Sequence, residues 1–420
     1  LTTHSHYDVI IAGGGCAGLG LAWELTRNSE RSKAPLKVLL INESFEPKDD
    51  KIWCFWDDVN LPMLISERFL WENIRFKGCG EVRYHKLKNH TYQCVRSEHY
   101  IHEIVEGLRL DPRVTQLEAQ ILGFESDASN ATVLTTAGHF TAEYVFQSVL
   151  KSEDPTNTHK HFIRNEETTI SQGIKSHSSN YNLKQHFLGI EIECSSGVFD
   201  PSMVTLMDFD VDQKHNTAFM YVLPFSENRA LFEYTLFSKD LLEYDAYRSE
   251  IERYIARKYA LTAKDYKIHR IEKGSIPMRD KAFQINYAPR IYNIGTVAGV
   301  TKPTTGYTFS RIHRMNKEIS RIILMDLDNP HTHLKNLPNP STFRFRFYDT
   351  LLLSILDGNP SESIRIFSAL FNRNSADSIL AFLDEKSGII QEMKLFLTLP
   401  KWPFLKALWT NRHILLRQNS

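Results

Sequence analysis

Cysteine is scarce in this 420-residue chain: Cys16, Cys54, Cys79, Cys94 and Cys194 are scattered, odd in number and never spaced as Cys-x-x-Cys. That usage argues against a disulfide framework or a cysteine-ligated zinc, and it fits a reducing cytoplasm. Excess charge is absent as well, because 50 Lys and Arg balance 50 Asp and Glu. With no basic arm and no low-complexity tract, nucleic acid is not an expected partner. No apolar run approaches the ~20 residues of a membrane span. An N-terminal signal peptide is not expected either, since a folded strand begins almost at once. The seventeen histidines form no H-E-x-x-H or similar cluster, so no metal is assigned. There is no G-x-S-x-G elbow to support serine-hydrolase chemistry.

What is present starts with "YDVIIAGGGCAGLGLAWEL". An apolar strand, Val9 to Ala12, runs into a glycine-rich turn and then a helix. Gly13, Gly15 and Gly18 take the three glycine positions of a dinucleotide site: one for the turn, one for pyrophosphate approach, one for packing of helix on strand. The helix N-terminus supplies free amides for phosphate. A second strand, "LKVLLIN", follows and ends at Asn42 with Glu43 next. Both are candidates for the ribose, although neighbouring strand residues face opposite ways. The glycine motif alone does not separate FAD from NAD.

A later segment, "RIYNIGTVAGVTKPTTGYTFSRIHRMNKEISRII", carries a strand (Ile291 to Ile294), a Gly/Pro/Thr loop and a long helix. A strand, loop and helix returning to the first domain after a large insertion is the order of FAD enzymes of the glutathione-reductase type. It favours FAD and marks Gly295, Pro303, Thr305, Gly306 and Tyr307 as cofactor contacts. Flavin oxidoreductases often carry Asp after the first glycine of this loop, where this chain has Thr296. No second G-x-G-x-x-G serves a separate NADPH domain.

In "RALFEYTLFS", Arg229 to Ser238, a glutamate sits inside an apolar strand. Alternation puts Leu231, Glu233, Thr235 and Phe237 on one face and Phe232, Tyr234 and Leu236 on the other. Ten residues alone are also compatible with an edge strand and a solvated Glu233. If both faces are covered, desolvation raises the carboxyl pKa toward that of a proton donor working near neutral pH.

With these segments in view, the chain resembles the lycopene cyclase family, most closely bacterial lycopene beta-cyclases. The resemblance rests on "GGGCAGLGLA", "KIWCFWDD", "QHFLGIEIE", "MDFD" with "YVLPFSENRALFEYT", and "GTVAGVTKPTTGYTFSRI", in that order, and on the tail "LPKWPFLKAL". It implies an FAD enzyme, active with reduced flavin and with NADPH as the source of electrons. Such an enzyme closes beta-ionone rings at the ends of lycopene, giving gamma- then beta-carotene, without net electron transfer. Lycopene and related acyclic carotenoids are the implied substrates, and the inner face of the cell membrane is the implied location of a cytoplasmic, peripherally attached protein. Glu233 falls on the glutamate of a family acidic motif and is implied as the catalytic acid/base. The second acidic position of that motif is Tyr234 here. This departure leaves one carboxyl, with the flavin as the other candidate proton donor or stabiliser.

Other candidates carry two readings. Trp53, Phe55 and Trp56, beside Asp57 and Asp58, either line a polyene tunnel or form an aromatic core corner. Tyr234 joins them among the substrate contacts. Asp208 and Asp210 invite a metal reading, but no third ligand joins them, and carboxylates hydrogen-bonded to backbone are the better expectation. Glu191 and Glu193 alternate with Ile and read most simply as a solvent-facing strand side, with a site role for Glu191 as the lesser alternative. From Met393 onward there is no acidic residue, while Lys394, Lys401, Lys406, Arg412 and Arg417 interleave with aromatics. Such a tail either packs as a helix or lies on an anionic membrane.

The expected fold is α/β: a Rossmann FAD-binding domain like that of glutathione reductase, a mixed β-sheet substrate domain and a helical C-terminal region. The flavin domain takes 1–150, with 43–97 partly in the substrate domain, and 271–327. The substrate domain takes 151–270, and the helical region 328–420. The rival readings are an FAD/NADPH-dependent oxidoreductase or hydroxylase acting on an isoprenoid or other apolar substrate, and a carotenoid carrier that keeps flavin only for structure.

Overall fold

A computed structural model describes residues 6–28, 36–56, 68–149, 181–280, 283–328 and 337–412. Asp57, Asp58, Arg417, the first thirty residues of the expected substrate domain and most of the connector after Leu327 lie outside them.

The chain opens with β1 (His6–Ala12), α1 (Cys16–Asn28) and β2 (Val38–Asn42). Val9 to Ala12 and Val38 to Ile41 are almost wholly buried. An apolar run without alternation suits strands covered on both faces, as in a parallel sheet. β3 (Ile52–Phe55), β4 (Arg68–Trp71) and β7 (Tyr92–Arg96) form a small sheet in order β3-β7-β4, and β5 (Asn73–Gly78) and β6 (Glu81–Lys86) depart for a second large sheet. Then come α2 (Ser97–Arg109), β8 (Val114–Glu118), β9 (Ile121–Ser126), β10 (Ala131–Thr135) and β11 (Gly138–Gln147). In the first sheet β11 and β2 flank β1, and β8 pairs with β2, all in parallel. Val9, Ile11, Val38 and Leu40 pack into a core with α1 and α2, whereas Ile10, Ala12, Leu39 and Ile41 face the β9–β10 side.

The second sheet holds β12 (Asn182–Cys194), β13 (Met203–Asp208), β14 (Thr217–Pro224), β15 (Arg229–Ser238) and, after α3 (Tyr244–Tyr259), β16 (Tyr266–Arg279). Its order is β16-β12-β15-β14-β13-β5-β6. β16 runs through the boundary expected between Arg270 and Ile271 and stays in this sheet to Arg279, paired along its length with β12. One face packs on α3 through Phe232, Tyr234, Leu236, Tyr247 and Tyr254, and the other carries Leu231 and Phe237 into a different core.

β17 (Asn286–Ala288) and β18 (Ile291–Asn293) return to the first sheet, with β18 parallel to β11. A single 3-10 turn (Gly295–Ala298) and a loop lead into α4 (Phe309–Asp328), which lies along α1. Among the described residues five more helices follow: α5 (Phe343–Gly358), α6 (Pro360–Arg373), α7 (Ala376–Leu383), α8 (Ile389–Thr398) and α9 (Lys401–Thr410). Their inner faces join Leu231, Phe237 and the aromatics of β4 and β7 in one core.

Candidate active site

The dinucleotide corner is built by β1, α1 and the loop before α4. Gly13 has φ +112°, a value side chains disfavour. A Cβ on Gly18 would lie 1.9 Å from the Gly13 carbonyl oxygen, so the third glycine lets the helix close on the turn. A Cβ on Gly15 would meet nothing within 4 Å. That open space lies at the N-terminus of α1, whose first turn carries no acid. It is the room a pyrophosphate needs, facing amides and the positive end of the helix dipole. Gly295 brings the second loop against this corner, since its Cβ would sit 2.7 Å from that of Ala17. In the loop, Pro303 is half-buried, Gly306 has φ +73°, and the buried Thr305 Oγ1 has no protein partner. These features fit an FAD held between the two glycine-rich segments.

Asn42, one of the two ribose candidates, braces the glycine turn. Its Oδ1 accepts from the Gly14 amide at 3.0 Å and its Nδ2 donates to the Ser44 carbonyl, so both ends of the amide brace the turn. Glu43 is exposed one residue beyond the strand.

The same loop delivers Tyr307 to the second sheet. Lys302 and Thr304 are buried and bind Asp349 of α5: Lys302 Nζ lies 2.9 Å from Asp349 Oδ2 and also 2.9 Å from Glu385, and Thr304 Oγ1 donates to Asp349 Oδ1 at 2.8 Å. Burial pushes the Asp349 carboxyl up, and Lys302 opposes the shift. Arg311 reaches the same Glu385 at 3.0 Å.

Glu233 lies on the inner face of β15, as the alternation of its strand requires. Four residues form a row across the sheet: Tyr221 on β14, Glu233 on β15, Gly189 on β12 and Glu272 on β16. Gly189 leaves a gap, and Glu272 fills it, for a Cβ there would fall 2.8 Å from Glu272 Cγ. The two carboxyls are therefore hydrogen-bonded across an intervening strand. Burial, then the negative charge of Glu272, raises the Glu233 pKa from 4.5 to about 8, against a 2.7 Å hydrogen bond from Thr235 Oγ1. Burial raises Glu272 too, but Arg270 Nη1 at 2.8 Å and the bond to Glu233 favour its ionised form. Both carboxyls are thus pushed toward their protonated forms, and the arginine at Glu272 offsets that push on its side of the pair. Arg96, Arg229 and Arg270 face Asp49, Glu191 and Glu272 in one connected cluster.

Glu191 corrects the expectation of a solvent-facing side. It is fully buried and bound by Arg96 at 2.8 Å, Arg229 at 2.5 Å and Arg270 at 3.2 Å. Burial would raise its pKa, but Arg96 and the other guanidiniums hold it below the usual carboxylate value. Glu193, two residues on, is exposed and pairs with His269.

Aromatic rings adjoin the acid through Tyr221 and Tyr307. Tyr92 Oη lies 2.7 Å from both Tyr221 Oη and Tyr307 Oη, and Tyr221 Oη donates to Cys54 Sγ at 3.0 Å. Trp56 meets Tyr307 edge-on at 4.4 Å and stacks over Tyr92 at 6.3 Å. Of the expected substrate contacts, Trp56 belongs to this cluster. Trp53 and Phe55 do not: strand alternation turns both the other way, onto Phe309 at the start of α4. Tyr234 points to the opposite sheet face, where its hydroxyl donates to the Asp212 carbonyl at 2.8 Å beneath α3. Asp208 is buried against Arg75, Tyr254 and Lys258, and Asp210 pairs with Lys77 and Arg257, so both carboxylates are held by cations. Among the described residues no group of three His, Cys, Asp or Glu is placed to hold a metal.

Comparison with solved structures places the chain in a known architecture. It aligns with p-nitrophenol 4-monooxygenase from Pseudomonas putida DLL-E4 over 93% of this chain and 97% of that one (TM-score 0.56, 13% identity). It aligns with a geranylgeranyl bacteriochlorophyll reductase-like protein from Thermoplasma acidophilum over 96% of each (TM-score 0.55, 14% identity). A probable FAD-dependent monooxygenase from Pseudomonas aeruginosa matches over 84% of this chain and 97% of that one (TM-score 0.55, 12% identity). At these identities the likeness is one of fold: a Rossmann-like FAD-binding architecture with mixed sheets and C-terminal helices. In sequence, the chain is 29% identical over 182 residues to the chloroplastic lycopene beta cyclase of Solanum lycopersicum and 28% identical over 179 residues to the chloroplastic/chromoplastic lycopene beta cyclase of Capsicum annuum. Each match spans 40% of this chain and 35% of the relative, about a third of the relative's length. The model of one family, lycopene cyclase protein, matches residues 8–409. With a half-buried acid beside Tyr221 on the inner face of β15, and that match over nearly its whole length, this chain belongs to the lycopene cyclase protein family.

Proposed function

We propose that this chain is a lycopene beta-cyclase that closes the linear ends of lycopene to beta-ionone rings, giving gamma- then beta-carotene, by acid catalysis without net redox change. The observation that carries the reading is the placement of Glu233 on the inner face of β15, beside Tyr221, with Glu272 reaching toward it through the gap at Gly189, an arrangement that raises its pKa.

Protonating a terminal carbon–carbon double bond breaks the Glu233 O–H bond, forms a C–H bond and leaves a tertiary carbocation. The π electrons of a suitably placed second double bond then form the ring C–C bond and move the charge into the ring. Loss of one ring proton gives the cyclic olefin, so the molecular formula is unchanged. Glu233 suits both ends of this sequence. Having given its proton, it stands as a second carboxylate beside Glu272, and that repulsion draws a proton back. Trp56, Tyr92, Tyr221 and Tyr307 exclude water that would quench the cation, and aromatic faces attract positive charge. In this reading FAD is held by the α1 N-terminus, the open space at Gly15, Glu43 on the ribose and the 301–307 loop. Bound there in its reduced form, with NADPH as electron source, the flavin would add electron density near a developing positive charge and a second source of a proton beside Glu233.

The test is anaerobic incubation with lycopene in liposomes, FAD and dithionite, for wild type and Glu233→Gln, with carotenoids separated by chromatography. Cyclic product at constant reduced-flavin content, lost in a variant that still binds flavin and lycopene, supports the reading. Lycopene left unchanged by folded, flavin-loaded wild type, or reductant consumed in step with product, rejects it.

A further inference from the structure

α8 and α9 present their apolar residues to the outside. Of the sixteen large hydrophobic side chains exposed among the described residues, seven fall between Ile389 and Trp409. On α8, Ile389, Ile390, Met393 and Leu397 are 59–72% exposed and share one side at helical spacing. On α9, Trp402, Leu405 and Trp409 are 54–78% exposed at spacings of three and four. The helices are not loosely placed. Leu395, Leu399 and Ala407 are buried in the core that also holds Trp56, Tyr92 and Tyr221. Glu392 is turned inward, accepting from Tyr348 and Ser387 at 3.0 Å each and facing Arg344.

The charge on this surface has one sign. Glu392 is the only acid from Lys386 to the end of the chain, and it is buried. Lys386, Lys394, Lys401, Lys406 and Arg412 are all exposed, and the Arg412 guanidinium lies 4.7 Å from the Trp409 ring. Two consecutive short helices with tryptophan and branched apolar residues outward, bordered by lysines and free of exposed acid, match the interfacial zone of an anionic bilayer. There rings sit at headgroup depth and cations meet lipid phosphates. Among the described residues no helix is long and apolar enough to cross a membrane.

We infer that the outer face of α8 and α9 docks this protein on an anionic lipid bilayer, with Trp402 and Trp409 inserted at headgroup depth. The inner faces of the same helices join the apolar core that also holds Tyr92 and Tyr221. The docking itself does not depend on the chemistry at Glu233.

The experiment is co-sedimentation of the full chain with phosphatidylglycerol-containing vesicles and with pure phosphatidylcholine vesicles, at low and high salt. Wild type is compared with Trp402→Ser/Trp409→Ser and with Lys394→Glu/Lys401→Glu/Lys406→Glu, after thermal melts verify that each variant is folded. Support is binding of wild type to the anionic vesicles with a blue shift of tryptophan emission, weakened roughly tenfold or more by either set of substitutions and, in part, by salt. The inference is overturned if wild type stays in the supernatant with anionic vesicles, or if both variants bind as wild type does. It is also overturned if light scattering shows that this face is covered by a second copy, with the tryptophan substitutions converting a dimer to monomer.

Discussion

Glu272 on β16 reaches Glu233 on β15 across β12, through the gap that Gly189 leaves in the intervening strand. Removing one of two coupled carboxylates changes what the other does with its proton. Glu272→Gln takes away a negative neighbour but not the burial, so the Glu233 pKa falls yet stays above its ordinary value. The alkaline limb of the rate–pH profile for the proposed cyclisation is then expected to move to lower pH. The loss is about tenfold near pH 8 and small near pH 6, read as single-turnover rates. Equal loss at every pH would mean that Glu272 serves some other purpose.

Gly189→Ala addresses the same pair without touching a carboxyl. The added methyl meets Glu272 Cγ at 2.8 Å and Leu231 Cδ1 at 3.1 Å, and Glu272 is the neighbour that moves. The alkaline limb is expected to shift in the same direction as in Glu272→Gln, with flavin binding unchanged in a fluorescence titration.

A raised carboxyl pKa also shapes stability. Native Glu233 keeps its proton at a pH where the unfolded chain has lost it, so the native state binds more protons and stability declines as pH rises from about 4.5 through about 8. The cost is roughly 3 kcal/mol at pH 7 by linkage. Glu233→Gln removes it: the variant melts above wild type at pH 8, and the two converge near pH 4. Equal melting temperatures at pH 8 would show that Glu233 is not held neutral by its surroundings.

The two glycines of the α1 turn differ in how they fail. Gly15→Val places its side chain in open space, so the apoprotein is expected to melt within a degree or two of wild type while FAD binding, followed by quenching of flavin fluorescence, is lost. Gly18→Ala puts a methyl 1.9 Å from a backbone oxygen and is expected to lower the melting temperature as well.

Lys302→Met leaves Asp349 and Glu385 facing each other without their shared cation. Breaking a buried pair in this way costs about 3–5 kcal/mol, measurable by urea denaturation. Adding Asp349→Asn recovers part of that loss.

The dinucleotide corner and the acid strand were legible because local pattern determines them. Three glycines at fixed spacing, an apolar run before them and the strict alternation of "RALFEYTLFS" need no knowledge of distant partners. Glu272 was not legible, because it meets Glu233 only through the register of three strands and a missing side chain. The only trace of it in the chain is a lone glycine in the strand "QHFLGIEIE". Glu191 was misplaced for a related reason: alternation with Ile assigns it a side but says nothing of the three arginines, from β7, β15 and β16, that cover that side. Trp53, Phe55 and Trp56 were grouped by adjacency, and the pleat separated them.

Lys302 and Thr304 tie the loop at the dinucleotide corner to the last third of the chain. The corner and the C-terminal helices thus share one buried ionic knot although hundreds of residues separate the first glycine from α5. A ligand that orders the loop lends rigidity to the helical roof, and a cut or truncation in the roof is felt at the corner. Saturating FAD is therefore expected to raise the resistance of the C-terminal helices to proteolysis.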